Sequence, residues 1–199
     1  MAAVAPRISV LDGRVAKGEQ TRLRAVLALV ELVDETGTSP STVAVAKRAG
    51  VAVRSIFHHF RGAHGLLLAA VEFQAERNRA LLFDIPPKGP SALRIRALCR
   101  QRRLYFEEIT PIYRIAHAKA HAESGLHDIL AVDRAVLRRQ LARTLAPELA
   151  SRGAGAPELL DALEQATDWE AWRALRDTRG LTAPSAERRM AFAATRILG

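Results

Sequence analysis

The sequence of 199 residues contains one cysteine, Cys99. A lone thiol closes no internal disulfide, and such usage fits a reducing compartment. Aromatic residues are scarce, at two Trp, two Tyr and six Phe, while Ala, Leu and Arg abound, which favours helix over sheet. No apolar run approaches the roughly 18 residues that a membrane span needs. The N-terminal stretch MAAVAPRISVLDGRVAKGEQTR has no long apolar core and carries Asp12 and Glu19, unlike a secretory signal. A cytoplasmic protein with no membrane partner is therefore expected. Enzyme signatures are missing too. There is no GxGxxG, no Walker loop, no GxSxG and no CxxC, and Ser, His and Asp fall in no recognisable arrangement. Neither catalysis nor a cofactor is expected. Strand-like alternation, low-complexity tracts and internal repeats are also lacking.

What is present starts with length and charge. The chain is long enough to bury a core without a disulfide or structural metal. Its formal net charge is +9, which favours polyanionic partners. The arginines are spread along the chain and interleaved with acids, so part of the excess is a solvated helical surface.

Hydrophobic spacing predicts helices separated by glycine and proline punctuation. The first ~18 residues read as a flexible arm bearing Arg7, Arg14 and Lys17. A helix over about 20–36 carries Leu23, Val26, Leu27, Val30 and Val33 on one stripe, and Gly37 follows as a left-handed cap. Ser39-Pro40-Ser41 supplies a turn and a hydroxyl N-cap. A short helix from Val43 then runs to Ala49 and stops at Gly50. Another spans about 53–59, and a longer one about 64–83. The prolines of DIPPKGPS end it. Further helices are expected over 91–109, from Pro111 to His121, over 126–145, from Pro157 to Asp177, and over 185–198.

The stretch AGVAVRSIFHHFRGAHGLL holds the chemistry. A short helix, a tight turn at Gly50 and a second short helix form a helix-turn-helix. Ala46 is small enough for the two helices to approach. Val51, Ile56 and Phe60 face inward. Val53, Arg54, Ser55, Phe57, His58 and His59 remain outward, where an α-helix in the major groove presents side chains to base edges. Arg54 can bond guanine bidentately, and Ser55 or a histidine can reach a base or a phosphate. Ser41 and Thr42, at the start of the preceding helix, join this candidate DNA-binding set.

The segment TRLRAVLALVELVDETGTSPSTVAVAKRAGVAVRSIFHHF resembles the DNA-binding domain of the TetR family of transcriptional regulators. The Thr-Arg opening, Gly37, Val45-Ala46, Ala49-Gly50-Val51, Phe57, His59-Phe60 and Leu66 fall in register. WEAWRALRDTRGLTAPSAERRMAFAATRIL resembles the family's C-terminal helices less specifically. The resemblance implies an all-α homodimer whose N-terminal heads bind a palindromic double-stranded DNA operator, with a C-terminal domain that senses a small-molecule effector. Residues 1–63 would then be arm and DNA-binding head, and residues 64–199 the helical ligand-binding and dimerisation domain. Four positions depart from the family pattern, among them Arg54, where the family often has glycine. Ala52 stands where Ser or Thr usually caps the recognition helix, at a cost of about 1 kcal/mol. Phe57 replaces a tyrosine and cannot bond a phosphate. Ala63 occupies the place of a phosphate-gripping lysine, a loss that Arg61 or Arg54 could offset.

Beyond the head, Tyr105, Phe106, Ile109, Tyr113, His117 and His121 form a candidate ligand pocket, an apolar and aromatic lining with few polar groups. The same spacing suits core. Trp169 and Trp172 suit core or dimer packing, and Cys99 a small core filler. His58, His59 and His64 are poor metal ligands, because adjacent helical residues point about 100° apart. His117 and His121 are i and i+4 on one predicted helix, a metal-competent spacing. Two alternatives to a DNA-binding repressor thus stand: a ligand-binding or adaptor protein with a degenerate head, and a helical metal-dependent enzyme using His117 and His121.

Overall fold

The computed structural model describes residues 7–120 and 125–199, with side chains from residue 17 onward. The described residues form helices and connecting turns without a strand, as expected for an all-α chain. They divide into two compact units. One comprises residues 1–73 and 111–127, the other residues 74–110 and 128–199.

The first unit opens with α1, Arg7–Thr36. The helix therefore begins well before residue 20, and the stretch read as a flexible arm is helical from Arg7. Ile8, Leu11 and Val15 continue the helical spacing, and two interior glycines, Gly13 and Gly18, are tolerated at about 1 kcal/mol each. Ala25, Val26, Ala28, Leu29, Val30 and Val33 are buried, whereas Leu23 is 46% exposed. The apolar stripe is thus rotated away from Leu23. Gly37 ends the helix at φ 66°, its N–H donating to the Val33 carbonyl at 2.8 Å. Next come α2, Thr42–Ala49, and α3, Val53–Phe60, each packed on α1. α4 spans Ala63–Arg77 and ends before the expected Phe83. Asn78 turns its side-chain amide back onto the Gln74 carbonyl at 3.0 Å, and a 3₁₀ turn over Arg79–Leu81 follows.

α5, Ser91–Lys119, is one helix where two were expected. Pro111 lies inside it and removes a backbone donor. Ile109, Ile112 and Tyr113 around the proline are all buried, so packing on both sides holds the helix through the missing rung. Thr110 adds a hydroxyl bond to the Phe106 carbonyl at 2.5 Å.

The second unit continues with α6, Leu126–Thr144, and α7, Ala146–Ser151, where Pro147 sits in the first turn, a position that needs no backbone donor. α8, Ala156–Thr167, is followed by α9, Trp169–Arg173, and a π turn over Ala174–Thr178. The expected single helix to Asp177 is split because Asp168 acts as an N-cap, accepting from the Ala171 N–H at 2.8 Å. α10, Ala183–Leu198, is capped by Thr182 and packs along α8. Leu98, Cys99, Phe106, Leu163, Trp172 and Met190 are among the core residues of this unit. Both tryptophans are buried, and Trp169 donates its indole N–H to Thr110 Oγ at 3.0 Å.

Candidate nucleic-acid interface

The helix-turn-helix is assembled by local rules that the sequence obeys. Ser41 has extended backbone, and its hydroxyl accepts from the Ala44 N–H at 3.1 Å, starting α2. Gly50 takes the left-handed conformation at φ 64°, which a Cβ would strain. The Val51 N–H reaches the Ala46 carbonyl at 3.0 Å, closing the turn. Val45, Ala46 and Ala49 of α2 and Ile56 and Phe60 of α3 are buried, so α3 is fixed by its inner face. Ala52 occupies the N-cap of α3 with no side-chain bond, the uncapped start expected from the sequence.

The outer face of α3 carries the candidate contacts. Arg54, Phe57 and His58 are exposed, while Val53, Ser55 and His59 are half-buried. On α2, Ser41 is exposed and Thr42 half-buried, and the Ser41 hydroxyl already serves the cap. The Phe57 ring lies over Gly62, 3.6 Å from where a Cβ would stand there. Arg61 closes α3 in the left-handed region at φ 58°, its N–H bonding the Phe57 carbonyl at 2.9 Å. Outside glycine that conformation costs about 1–2 kcal/mol. It turns the chain between α3 and α4 and leaves the Arg61 side chain exposed.

Three features that hold this face escaped the sequence reading. Arg22 of α1 donates to the His59 carbonyl at 3.3 Å and lies 4.9 Å from the centre of the Phe60 ring, clasping the end of α3. Arg48 of α2 makes a two-pronged pair with Glu35 of α1, at 2.8 and 2.7 Å, with Glu31 at 3.5 Å. The Glu35 carboxyl is held below its ordinary range, mainly by the Arg48 hydrogen bond, and the guanidinium is correspondingly raised. The third is Gly65 of α4, where an added Cβ would lie 1.9 Å from the Phe60 carbonyl oxygen. Only glycine lets α4 pass so close to the end of α3. A glycine interior to an otherwise helical run was the available sign.

Charge sets the chemistry of the face. From Glu35 to Glu72 the chain carries no acidic residue, and within that interval lie Lys47, Arg48, Arg54 and Arg61 with three histidines. With Arg48 committed to α1, the exposed cations are Lys47, Arg54 and Arg61. A short helix presenting a guanidinium and imidazoles, flanked by cations and free of carboxylates, suits a phosphate-lined groove.

The candidate pocket residues lie elsewhere. Tyr105, Phe106 and Ile109 are fully buried in the second unit. Tyr105 donates its hydroxyl to Asp133 at 2.7 Å, and Phe106 stacks 6.2 Å from Trp172. Tyr113 and His117 belong to the first unit, with ring centres 6.1 Å apart. His121 lies outside the described residues. Cys99 is fully buried, and burial pushes its thiol up to about 12.

Comparison with known proteins agrees with this geometry. Residues 27–70 match the family described as bacterial regulatory proteins, tetR family. The fold resembles the crystal structure of a transcriptional regulator from Rhodococcus sp. Rha1, with a TM-score of 0.67 at 21% identity over 89% of this chain and 95% of that one. It also resembles a tetR-family transcriptional regulator from Streptomyces coelicolor, with a TM-score of 0.72 at 14% identity over 90% of this chain and 80% of that one. No curated protein matches the sequence. The helix-turn-helix and the matched family model converge on one segment: residues 27–70 form a DNA-binding head of the tetR type, and the chain shares its fold with solved transcriptional regulators.

Proposed function

We propose that the chain is a ligand-responsive repressor that binds a palindromic operator as a homodimer. The observation that carries the reading is the outer face of α3, with Arg54 and His58 exposed inside a stretch without a carboxylate. Residues 1–63 serve as the DNA-binding head. Arg54 reads a guanine edge, Ser55 and the histidines contact neighbouring bases or phosphates, and Ser41 and Thr42 hold the backbone. Arg61 takes the phosphate role that Ala63 cannot fill. α8 and α10 form the dimer contact, and two-fold pairing of heads calls for half-sites one helical turn apart, about 34–36 Å.

The effector binds in the helical part formed by residues 64–199 and shifts the spacing of the heads. α4 and α5 each contribute residues to both compact units, which supports them as the elements that carry the shift. A coupling of about 1–3 kcal/mol suffices, and operator and effector must then weaken each other by the same factor.

Selection of bound sequences from random DNA tests this reading. A palindrome is expected, with Arg54→Ala relaxing one or two symmetric base pairs at a loss of about 1–3 kcal/mol. Absence of any shift at low salt would instead favour an adaptor whose head no longer reads DNA.

A further inference from the structure

A cleft of about 450 Å³ opens on the second unit, walled by Phe83, Ala97 and Leu104 and edged by Arg96, Arg100 and Glu187. Sites for small organic ligands fall in the same size range, roughly 300–1,000 Å³.

The charges of this cleft do not balance. Arg103 takes Glu187 at 2.7 Å and Glu107 at 2.8 Å, so the one carboxylate at the rim is already engaged. Elsewhere in the unit, Arg94 pairs with Glu148, Arg138 with Asp161 and Glu164, and Arg143 with Asp84. Among the described residues, Arg96 and Arg100 have no such partner. They stand i and i+4 on α5, a spacing at which like charges repel. Both side chains are exposed at the edge of the cleft, where an anion could reach them together.

The apolar wall is fixed in place. Phe83 is 61% exposed, yet its carbonyl accepts from two buried glutamine amides, Gln101 Nε2 at 3.0 Å and Gln140 Nε2 at 3.1 Å. Gln140 also donates to Gln101 Oε1 at 2.6 Å. Arg143 holds the next residue, Asp84, at 3.0 Å. Two buried side chains therefore hold a backbone whose aromatic ring points at solvent. Preorganisation of that kind suits a ring that receives something.

We infer that this cleft binds a small amphipathic carboxylate, its head on Arg96 and Arg100 and its apolar body against Phe83, Ala97 and Leu104. A planar carboxylate matches the guanidinium fork, and the apolar wall excludes a ligand that is only charged. The effector role of this ligand rests on the proposed repressor reading. Its binding does not.

Calorimetric titration of the full-length protein with straight-chain carboxylates from hexanoate to dodecanoate tests the site, with decanol and decyltrimethylammonium as controls. At least one carboxylate should bind saturably and more tightly than the alcohol, and the cation should not bind. The double variant Arg96→Gln/Arg100→Gln should weaken carboxylate binding by about tenfold or more, since hydrogen bonds to charged groups are individually worth that much. Arg179→Gln, on an exposed position outside the cleft and outside α8 and α10, should leave it unchanged. Circular dichroism melts of both variants check that the fold is kept. No saturable binding by any carboxylate, equal binding of decanol, or indifference to the double variant would overturn the assignment. Binding that leaves operator affinity unchanged would uphold the cleft and overturn only its effector role.

Discussion

Single atoms decide several properties of the head. An added Cβ at Gly65 would collide with a backbone oxygen that has no rotamer to escape into. Gly65→Ala should therefore destabilise by about 1–3 kcal/mol or more, the range for overpacking, read as a lower midpoint in urea. Arg61 offers the opposite case. Arg61→Gly relieves a left-handed arginine and should gain up to about 1 kcal/mol, the excess of left-handed strain over the entropy that glycine loses. On the proposed phosphate role of Arg61, the same change should lower the slope of log affinity against log salt by about one. Cys99 makes a third test. Burial raises its thiol to about 12 and hides it from solvent, so a thiol reagent near neutral pH should modify it only when the protein is unfolded.

At the scale of helices, the pair between Arg94 of α5 and Glu148 of α7 has the most buried guanidinium of the ion pairs described in the second unit. The guanidinium side chain is 6% exposed, and besides both carboxylate oxygens of Glu148 it reaches the carbonyls of Thr144 and of Gly89, the latter at 3.3 Å. Glu148→Ala leaves a buried cation without its carboxylate and should cost about 3 kcal/mol near neutral pH. The Arg94 hydrogen bond holds the Glu148 carboxyl below its ordinary range. Its contribution is thus present above the unfolded glutamate's titration and lost as pH falls through the lowered folded value. The gap between wild type and variant should close on acidification, which denaturant titrations at stepped pH would follow. The helices themselves were largely legible in the sequence, because glycine, proline and hydroxyl caps act locally. Gly50, Ser41 and Gly37 behave as their chemistry dictates. Pro111 and Asp168 were misjudged for one reason: local signals compete with packing. Burial around Pro111 overrides a breaker, while a single aspartate cap at Asp168 divides an apolar run that periodicity joins. For the interface, outward residues of α3 could be read from the sequence, but its supports could not. Arg22 and Gly65 act on backbone carbonyls of Phe60 and its neighbour, and no spacing rule reveals which carbonyl a distant side chain will meet.

For the molecule as a whole, the charge distribution matters more than its sum. A net charge of +9 says little, but an interval without acid that coincides with the helix-turn-helix directs the excess to one element. Operator affinity should accordingly fall steeply with salt, by a factor that scales with the number of phosphates contacted. Association should be fast at low ionic strength and slow as screening grows, which stopped-flow measurement would record. The pairing of Arg48 with Glu35 has a place in this balance. It removes one cation from the face and fastens α2 to α1 instead. The double change Glu31→Gln/Glu35→Gln should free that guanidinium for phosphate and strengthen binding to unrelated DNA, at the expense of discrimination, measured as the ratio of operator to random-sequence affinity.

The division of labour along α3 has a practical corollary. Ile56 and Phe60 secure the helix from beneath, whereas Arg54 and His58 project away from the head. Those outward positions can be randomised as a library without disturbing the platform that carries them. A retargeted regulator could be evolved from this chain by rewriting a handful of codons, provided that the glycine at 65 and the clasp from α1 stay untouched.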